Sequence, residues 1–340
     1  MTGTFAIPGD LNTTSGGYAY DRAVLRELPD LTHLALPGGF PFPSDGDVAR
    51  SLDLLKGAHG PLLIDGLAFG AFPQEALSAL PNPIVALCHH PLALETGIAP
   101  ETAKQLMSSE RAALQRAAAV IVTSTTTART LHDLYNVDEN RIHVAEPGLD
   151  PAPVAPRTGT PPVILTVASL TPRKGHDVLI EALTSIRDLP WRAIWAGPKP
   201  DAEWFDTLQT LIAETGLHDR IEQIGPISQQ ALTDLRSQAD LFCLPSHYEG
   251  YGMAFTEAML SGLPIVGCAG GAVSDVVPGT AGLLTEPGDA RALARSLRAV
   301  LTDGQLAERL ASGGRAHALS LPGWPDTAGV IRDVLNRVAT

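Results

Sequence analysis

Short apolar, β-branched runs bounded by Gly and Pro alternate along the chain with longer segments of helical periodicity, and the alternation occurs twice. In the first half, Thr4 to Ile7, Thr32 to Leu36, Leu62 to Asp65, Ile84 to Cys88, Val120 to Thr123 and Ile142 to Ala145 read as strands, with Tyr18 to Leu28 and Glu101 to Ala118 among the helices. In the second half the strands are Val163 to Ala168, Arg192 to Ala196, Ile221 to Gly225, Leu241 to Pro245, Pro264 to Gly267 and Gly282 to Thr285. Strands separated by helices join as parallel crossovers, so the pattern predicts an α/β protein with two doubly wound, Rossmann-like parallel sheets. Between Pro147 and Pro162 there are six prolines and no periodic apolar positions, which reads as a stiff linker. The expected division is therefore a first domain over 1–150, a linker over 151–162 and a second domain over 163–321. An amphipathic pattern from Trp324 to Val338 places 322–340 as a helix crossing back to the first domain. Open parallel sheets bind ligands beyond the carboxyl ends of their strands, so the two domains are expected to face each other across a cleft.

A length of 340 residues suits two domains, and a chain 44% apolar and 18% charged is folded throughout. With 24 Lys and Arg against 37 Asp and Glu, the net charge of −13 excludes a broad polyanion-binding surface, and nucleic acid is not an expected partner. Cys88, Cys243 and Cys268 each sit in an apolar run with no Cys-x-x-Cys pair, so they read as core thiols. The start, Met1 to Pro8, lacks the basic region of a signal peptide, and a cytoplasmic location is expected. The longest uncharged stretch, Ala258 to Ser274, is interrupted by four glycines and a proline, so no transmembrane segment is expected. Peripheral membrane contact stays open, although no amphipathic stretch is dense in Lys and Arg.

Chemistry concentrates in the segments that follow strands. Pro245-Ser246-His247-Tyr248-Glu249-Gly250-Tyr251-Gly252 leads from a strand into a helix that carries Glu257. Gly250 and Gly252 let the backbone approach a ligand, and the open helix start offers N–H groups to an anion or hydroxyl. Carboxylates accept paired hydrogen bonds from vicinal hydroxyls, so Glu249 and Glu257 are suited to hold a ribose and a sugar. After the strand at 163, Thr171-Pro172-Arg173-Lys174-Gly175 sets two adjacent cations in a turn, where they can stabilise a departing diphosphate. Gly270 and Gly271 precede Asp275 at another strand-to-helix turn. In the first half, Gly16 and Gly17 lie between a strand and a helix, and Cys88-His89-His90-Pro91 follows the strand at 84. A two-histidine metal site would need further ligands that the sequence does not offer there. Asp45-Gly46-Asp47 matches a metal-binding pattern of another fold, but its Pro- and Ser-marked loop reads as a helix entry. No P-loop, Gly-x-Ser-x-Gly or Gly-x-Gly-x-x-Gly is intact.

The pattern Pro245-Ser246-x-x-Glu249-Gly250-x-Gly252, with a second Glu at 257, resembles the family 4 group of retaining glycosyltransferases, which have the GT-B fold of two facing Rossmann-like domains. The likeness covers roughly 142 to 301 and, more loosely, the first half. It implies a nucleotide-sugar donor, a sugar, lipid or small-molecule acceptor, retention of anomeric configuration, and neither metal nor cofactor. It implies further that Glu257 contacts the ribose, and that Glu249 with the amides of Tyr251 and Gly252 lies near the sugar and diphosphate. By the same resemblance Lys174 matches a Lys-Gly signature, Gly16 and Gly17 form the glycine loop, Asp275 stands where Glu is usual, and His89, with His90 as alternative, lies close to the reacting carbon. Where many members carry Gly-Arg, this chain has Ala168-Ser169, and Arg173 is the candidate substitute. The residues alone leave two other readings open: a related sugar phosphorylase or nucleotide-sugar epimerase, and a catalytically weak nucleotide-sugar binding module. Glycoside hydrolysis also uses paired carboxylates, but it does not call for phosphate-cradling loops.

Overall fold

The computed structural model describes residues 3–339; Met1, Thr2 and Thr340 lie outside the described residues, and with them part of the N-terminal reading and of the 322–340 segment. The chain forms two compact units, one comprising the residues up to Gly148 together with those from Pro322, the other Leu149–Leu321.

The first unit contains β1 (Gly3–Pro8), α1 (Gly16–Glu27), β2 (Leu31–Leu36), α2 (Asp45–Lys56), β3 (Leu62–Asp65), α3 (Gly66–Phe69), α4 (Gln74–Ser78), β4 (Ile84–Cys88), α5 (Pro100–Leu114), β5 (Ala119–Val122), α6 (Thr125–Tyr135) and β6 (Ile142–Val144). Its sheet is parallel in the order β2-β1-β3-β4-β5-β6. The order reverses at β1 and β3, so the loops after those strands diverge and leave a crevice at their carboxyl ends. Alternate strand residues face opposite sides: Leu62, Ile64, Ala86, Cys88, Val120 and Val122 join one core cluster, while Leu63, Val85, Leu87 and Ile121 are equally buried on the other face.

The second unit contains β7 (Val163–Val167), α7 (His176–Thr184), β8 (Arg192–Ala196), α8 (Ala202–Thr215), β9 (Ile221–Gly225), α9 (Gln229–Ser237), β10 (Leu241–Leu244), α10 (Met253–Leu260), β11 (Ile265–Cys268), α11 (Val273–Val276), β12 (Gly282–Thr285), α12 (Ala290–Thr302) and α13 (Gly304–Ala318). Its parallel order, β12-β11-β10-β7-β8-β9, reverses between β7 and β10. Ile164, Trp195 and Cys243 point to one core and Leu165, Ile194 and Phe242 to the other, so helices cover both faces.

All twelve expected strands form, within a residue or two at their ends. Two boundaries differ. The helix expected over Glu101 to Ala118 stops at Leu114, where the chain turns toward β5. The segment read as a linker over 151–162 is packed onto the second unit. Ala155 N donates to Ser261 O at 2.9 Å, while Gly159 N and Val163 N donate to the Asp240 carboxylate at 2.9 and 2.7 Å. Its prolines lack N–H groups, so the donors that remain take side-chain and loop partners rather than a ladder.

The last helix, α14 (Trp324–Val338), belongs to the first unit. Trp324 meets Tyr20 edge-on at 5.6 Å between centroids, and Thr327 donates to Glu146 O at 2.6 Å. The three cysteines are free and buried. Among the described residues no helix is long and apolar enough to cross a membrane.

Candidate functional site

In the second unit the loops after β7 and β10 meet where the strand order reverses. Gly175, at φ +67, closes the first loop in a conformation that disfavours a side chain, and a Cβ there would lie 2.2 Å from Pro245 O. The close backbone approach lets His247 N donate to Arg173 O at 2.8 Å. It also delivers Lys174, whose ammonium donates to Glu249 Oε1 at 2.6 Å. Ser246 Oγ donates to the same oxygen at 2.6 Å, and Arg173 lies 3.5 Å from Oε2 while donating to Tyr248 O at 2.8 Å. Glu249 is 6% exposed. Burial alone would raise its carboxyl, but the charges of Lys174 and Arg173 and the hydrogen bonds from Lys174 and Ser246 hold it below the ordinary carboxylate value.

The turn after β11 backs this loop. Glu249 pairs with Gly271 as an isolated parallel bridge, and Ala272 N donates to Glu249 O at 2.9 Å. At Gly271, φ +64, a Cβ would stand 2.2 Å from Glu249 O, so the pairing requires glycine. Gly270 and Gly271 thus support the Glu249 loop from behind, while Asp275 lies exposed on the four-residue α11. Beyond Glu249, Gly250 and the buried Tyr251 lead to Gly252, the N-cap of α10, and no side chain caps that helix start. Glu257 follows one turn into α10, half-buried, and accepts from Arg236 at 2.6 Å. Burial raises its carboxyl, Arg236 opposes the rise and the charge of Asp150 adds to it. Arg236, 3% exposed on α9, was not singled out from the sequence.

A second cluster forms at the reversal point of the first unit. His89, just past β4, places Nε2 3.2 Å from Asp21 Oδ1 and 3.2 Å from Asp65 Oδ2. Both aspartates are buried, Asp21 in α1 and Asp65 at the end of β3, where its Oδ1 also accepts from Leu67 N and caps α3. The Tyr20 ring meets the imidazole edge-on at 5.2 Å, and Thr123 Oγ1 donates to His89 O at 3.1 Å. Burial would lower the imidazolium, but Asp21, through charge and hydrogen bond, and then Asp65 push it up to about 10. The neighbouring His90 instead lies 3.4 Å from Glu95. Gly16 and Gly17, expected just before a helix, are its first two residues, with Ser15 as the N-cap accepting from Tyr18 N. Gly17 sits against His89: a Cβ there would be 3.3 Å from Cδ2. The donor atoms of Asp21, Asp65 and His89 lie within 4.8 Å of one another, close enough to hold either a shared proton or a metal ion. Ser44 is the N-cap of α2 and accepts from Asp47 N, while the Asp47 carboxylate accepts from Ser44 N and Oγ, so the Asp45-Gly46-Asp47 pattern is a helix entry closed by a capping box.

The second unit can therefore present two fixed cations, a clamped carboxylate and an open helix start to a phosphorylated, hydroxyl-bearing ligand. Comparison with known proteins bears on this architecture. Residues 153–317 match the family model described as glycosyl transferases group 1, and residues 16–153 match that of glycosyltransferase family 4. A curated relative, the D-inositol 3-phosphate glycosyltransferase of Xylanimonas cellulosilytica, is 30% identical over 260 residues, covering 71% of this chain and 62% of its own length. The chain thus spans under two thirds of that relative. Among solved structures, the sucrose-phosphate synthase of Thermosynechococcus elongatus is similar with a TM-score of 0.83 at 21% identity, covering 99% of both chains. HepE of Anabaena, in complex with UDP and glucose, is similar at 0.79 and 19%, covering 98% of this chain and 99% of its own. With the two family models following one another along the sequence and the same pair of six-stranded parallel sheets in the structure, the chain belongs to the glycosyl transferases group 1 family and has the GT-B fold.

Proposed function

We propose that this protein is a retaining glycosyltransferase that moves a sugar from a nucleotide-sugar donor to an acceptor hydroxyl without a metal ion. The observation that carries the reading is the clamp in the second unit: Glu249 pinned by Lys174, Arg173 and Ser246 beside the uncapped start of α10. A departing nucleoside diphosphate carries charge that has to be met by groups already in place. Lys174 supplies an ammonium, the helix start supplies N–H groups, and Glu257, steadied by Arg236, takes the ribose diol. With these cations fixed, a divalent ion is not needed for the leaving group. The acceptor hydroxyl attacks from the face the diphosphate vacates, and its proton passes to the departing oxygen. The first unit, with His89 and the Gly16-Gly17 helix start, is assigned to the acceptor side.

HepE, crystallised with UDP and glucose, makes uridine diphosphate sugars the first donors to try. The inositol phosphate relative makes small phosphorylated polyols the first acceptors. A second reading, donor binding without turnover, is favoured by Arg173: its guanidinium is turned to Tyr248 O and Glu249, in a chain with Ala168-Ser169 where the family arginine is common. Thermal-shift titration with UDP, GDP, ADP and dTDP and their sugars, beside Glu257→Ala, tests the donor site. The expected result is selective stabilisation by one nucleotide, lost in the variant; no stabilisation by any of them overturns the proposal. Binding without sugar release or transfer across an acceptor panel selects the second reading.

A further inference from the structure

We propose that Asp21 and Asp65 are positioning residues for His89, fixing its ring and committing it to act as a hydrogen-bond donor and never as a general base. The inference rests on the glycosyltransferase reading for its catalytic consequence, but its structural part stands on the first unit alone.

The ring is boxed on several sides. Asp21 Oδ1 and Asp65 Oδ2 both face Nε2 at 3.2 Å, Tyr20 packs edge-on against the imidazole, and Gly17 lies on another side with room for little more than hydrogen, since a Cβ there would stand 3.3 Å from Cδ2. Tyr20 is itself held, its hydroxyl donating to Ala145 O at 2.9 Å and its ring meeting Trp324. One nitrogen facing two carboxylates has to carry a proton, because a bare lone pair there would meet only oxygen lone pairs. Asp65 is further fixed by its cap to Leu67 N, and Asp21 Oδ2 is buried with no hydrogen-bond partner among the described residues. Removing the cation would leave two buried carboxylates facing each other, so the charged ring is the species that satisfies the pair. Nε2 is thereby consumed. Among the described residues Nδ1 has no protein partner, and the side chain keeps 19% exposure. On an imidazolium, Nδ1 can only donate. It is therefore suited to a sugar or acceptor oxygen and cannot take the acceptor proton, in keeping with a mechanism in which the leaving oxygen takes it.

Two measurements test this. In protein labelled with ¹⁵N-histidine, assigned with His89→Gln, the His89 ring is expected to give imidazolium shifts at pH 8. The isosteric Asp21→Asn with Asp65→Asn should return it to neutral at that pH; Asn still caps α3, so the fold is kept. With the donor found by the titration above, Asp21→Asn should lower kcat at least tenfold with the donor KM unchanged, and His89→Gln added to it should lower kcat no further. A neutral His89 at pH 8 in the unmutated protein, or full kcat in Asp21→Asn, overturns the proposal. So does turnover that EDTA abolishes and Mn²⁺ restores, with the His89 resonance shifted on Mn²⁺ or Zn²⁺ addition, because the three residues would then be metal ligands. Absence of any nucleotide binding overturns the glycosyltransferase reading instead and leaves the imidazolium shifts as they are.

Discussion

Where strand order reverses, the first unit surrounds one cation with two carboxylates, and the second surrounds one carboxylate with two cations. His89 between Asp21 and Asp65 leaves a net negative trio, whereas Glu249 between Lys174 and Arg173 leaves a net positive one. Both arise from the same topology, since each doubly wound sheet opens its crevice at the reversal and lines it with loops from two or three strands. The sheet fixes where a site forms; the residues at the strand ends decide which sign of charge it shows a ligand. In the proposed reaction the diphosphate goes to the second unit, whose trio is net positive, and the neutral, hydroxyl-rich partner to the first.

Removing a member of the positive trio should have the largest effect. Lys174→Ala is expected to lower the rate of donor turnover about 10²- to 10³-fold, the range for deleting one preorganised group at a developing charge, read as kcat/KM for the nucleotide sugar. Next is Gly271→Ala, which forces a side chain into a left-handed backbone position with its Cβ 2.2 Å from Glu249 O. Positive φ costs a non-glycine residue of order 1–2 kcal/mol before that clash is added, so chemical unfolding should show a loss above this and nucleotide affinity should fall with it.

The two trios should also separate on the pH axis. His89 is raised in the folded state, so its contribution to stability is complete below the ordinary histidine value and is lost as pH climbs through about 10. Glu249 is lowered, so its contribution is present above the ordinary glutamate value and is lost as pH falls through the folded value. Subtracting the melting-temperature profile of His89→Gln from that of the unmutated protein should therefore leave an alkaline limb, and subtracting that of Glu249→Gln an acid limb. Glu110 of α5, pushed up to about 8 by burial, adds a loss of its own as pH rises from the ordinary glutamate value to about 8, where it overlaps the start of the His89 limb, so the difference curve is the quantity to read. The smallest effect is expected for Gly17→Ala. Helix propensity favours alanine there by roughly 0.5–1 kcal/mol, while a Cβ 3.3 Å from the imidazole pushes His89 by a few tenths of an ångström. The melting temperature should move by only a few degrees, with the His89 resonance shifting; an unchanged resonance would mean that Gly17 does not bound the ring.

The sheets were legible because buried parallel strands leave continuous apolar runs, and the positive trio because its members fall within two short motifs after strands. The negative trio was only a third legible. His89 stood out beyond β4, but Asp21 lies one helical turn past Gly17 in an ordinary amphipathic helix, and Asp65 reads as the polar end of a strand. A signal was present: a buried-face Asp at the Gly17+4 position shares the turn that Gly17 opens. Arg236 stayed hidden because its partner, 21 residues on, belongs to a different helix. The segment over 151–162 misled because proline content reports stiffness, while Asp240, which holds it, lies far along the sequence.

The return of α14 to the first unit sets an order on biosynthesis. Tyr20, which packs against His89, rests on Trp324, so the box around the imidazole needs residues from near both ends of the chain. The second unit is continuous from Leu149 to Leu321 and has all its strands once that stretch leaves the ribosome. The first unit begins earlier and finishes later, waiting through the synthesis of its neighbour for one helix. During that interval the face of Tyr20 that Trp324 will cover is open, and a ribosome stalled before Trp324 would hold a complete positive trio beside an unfinished negative one.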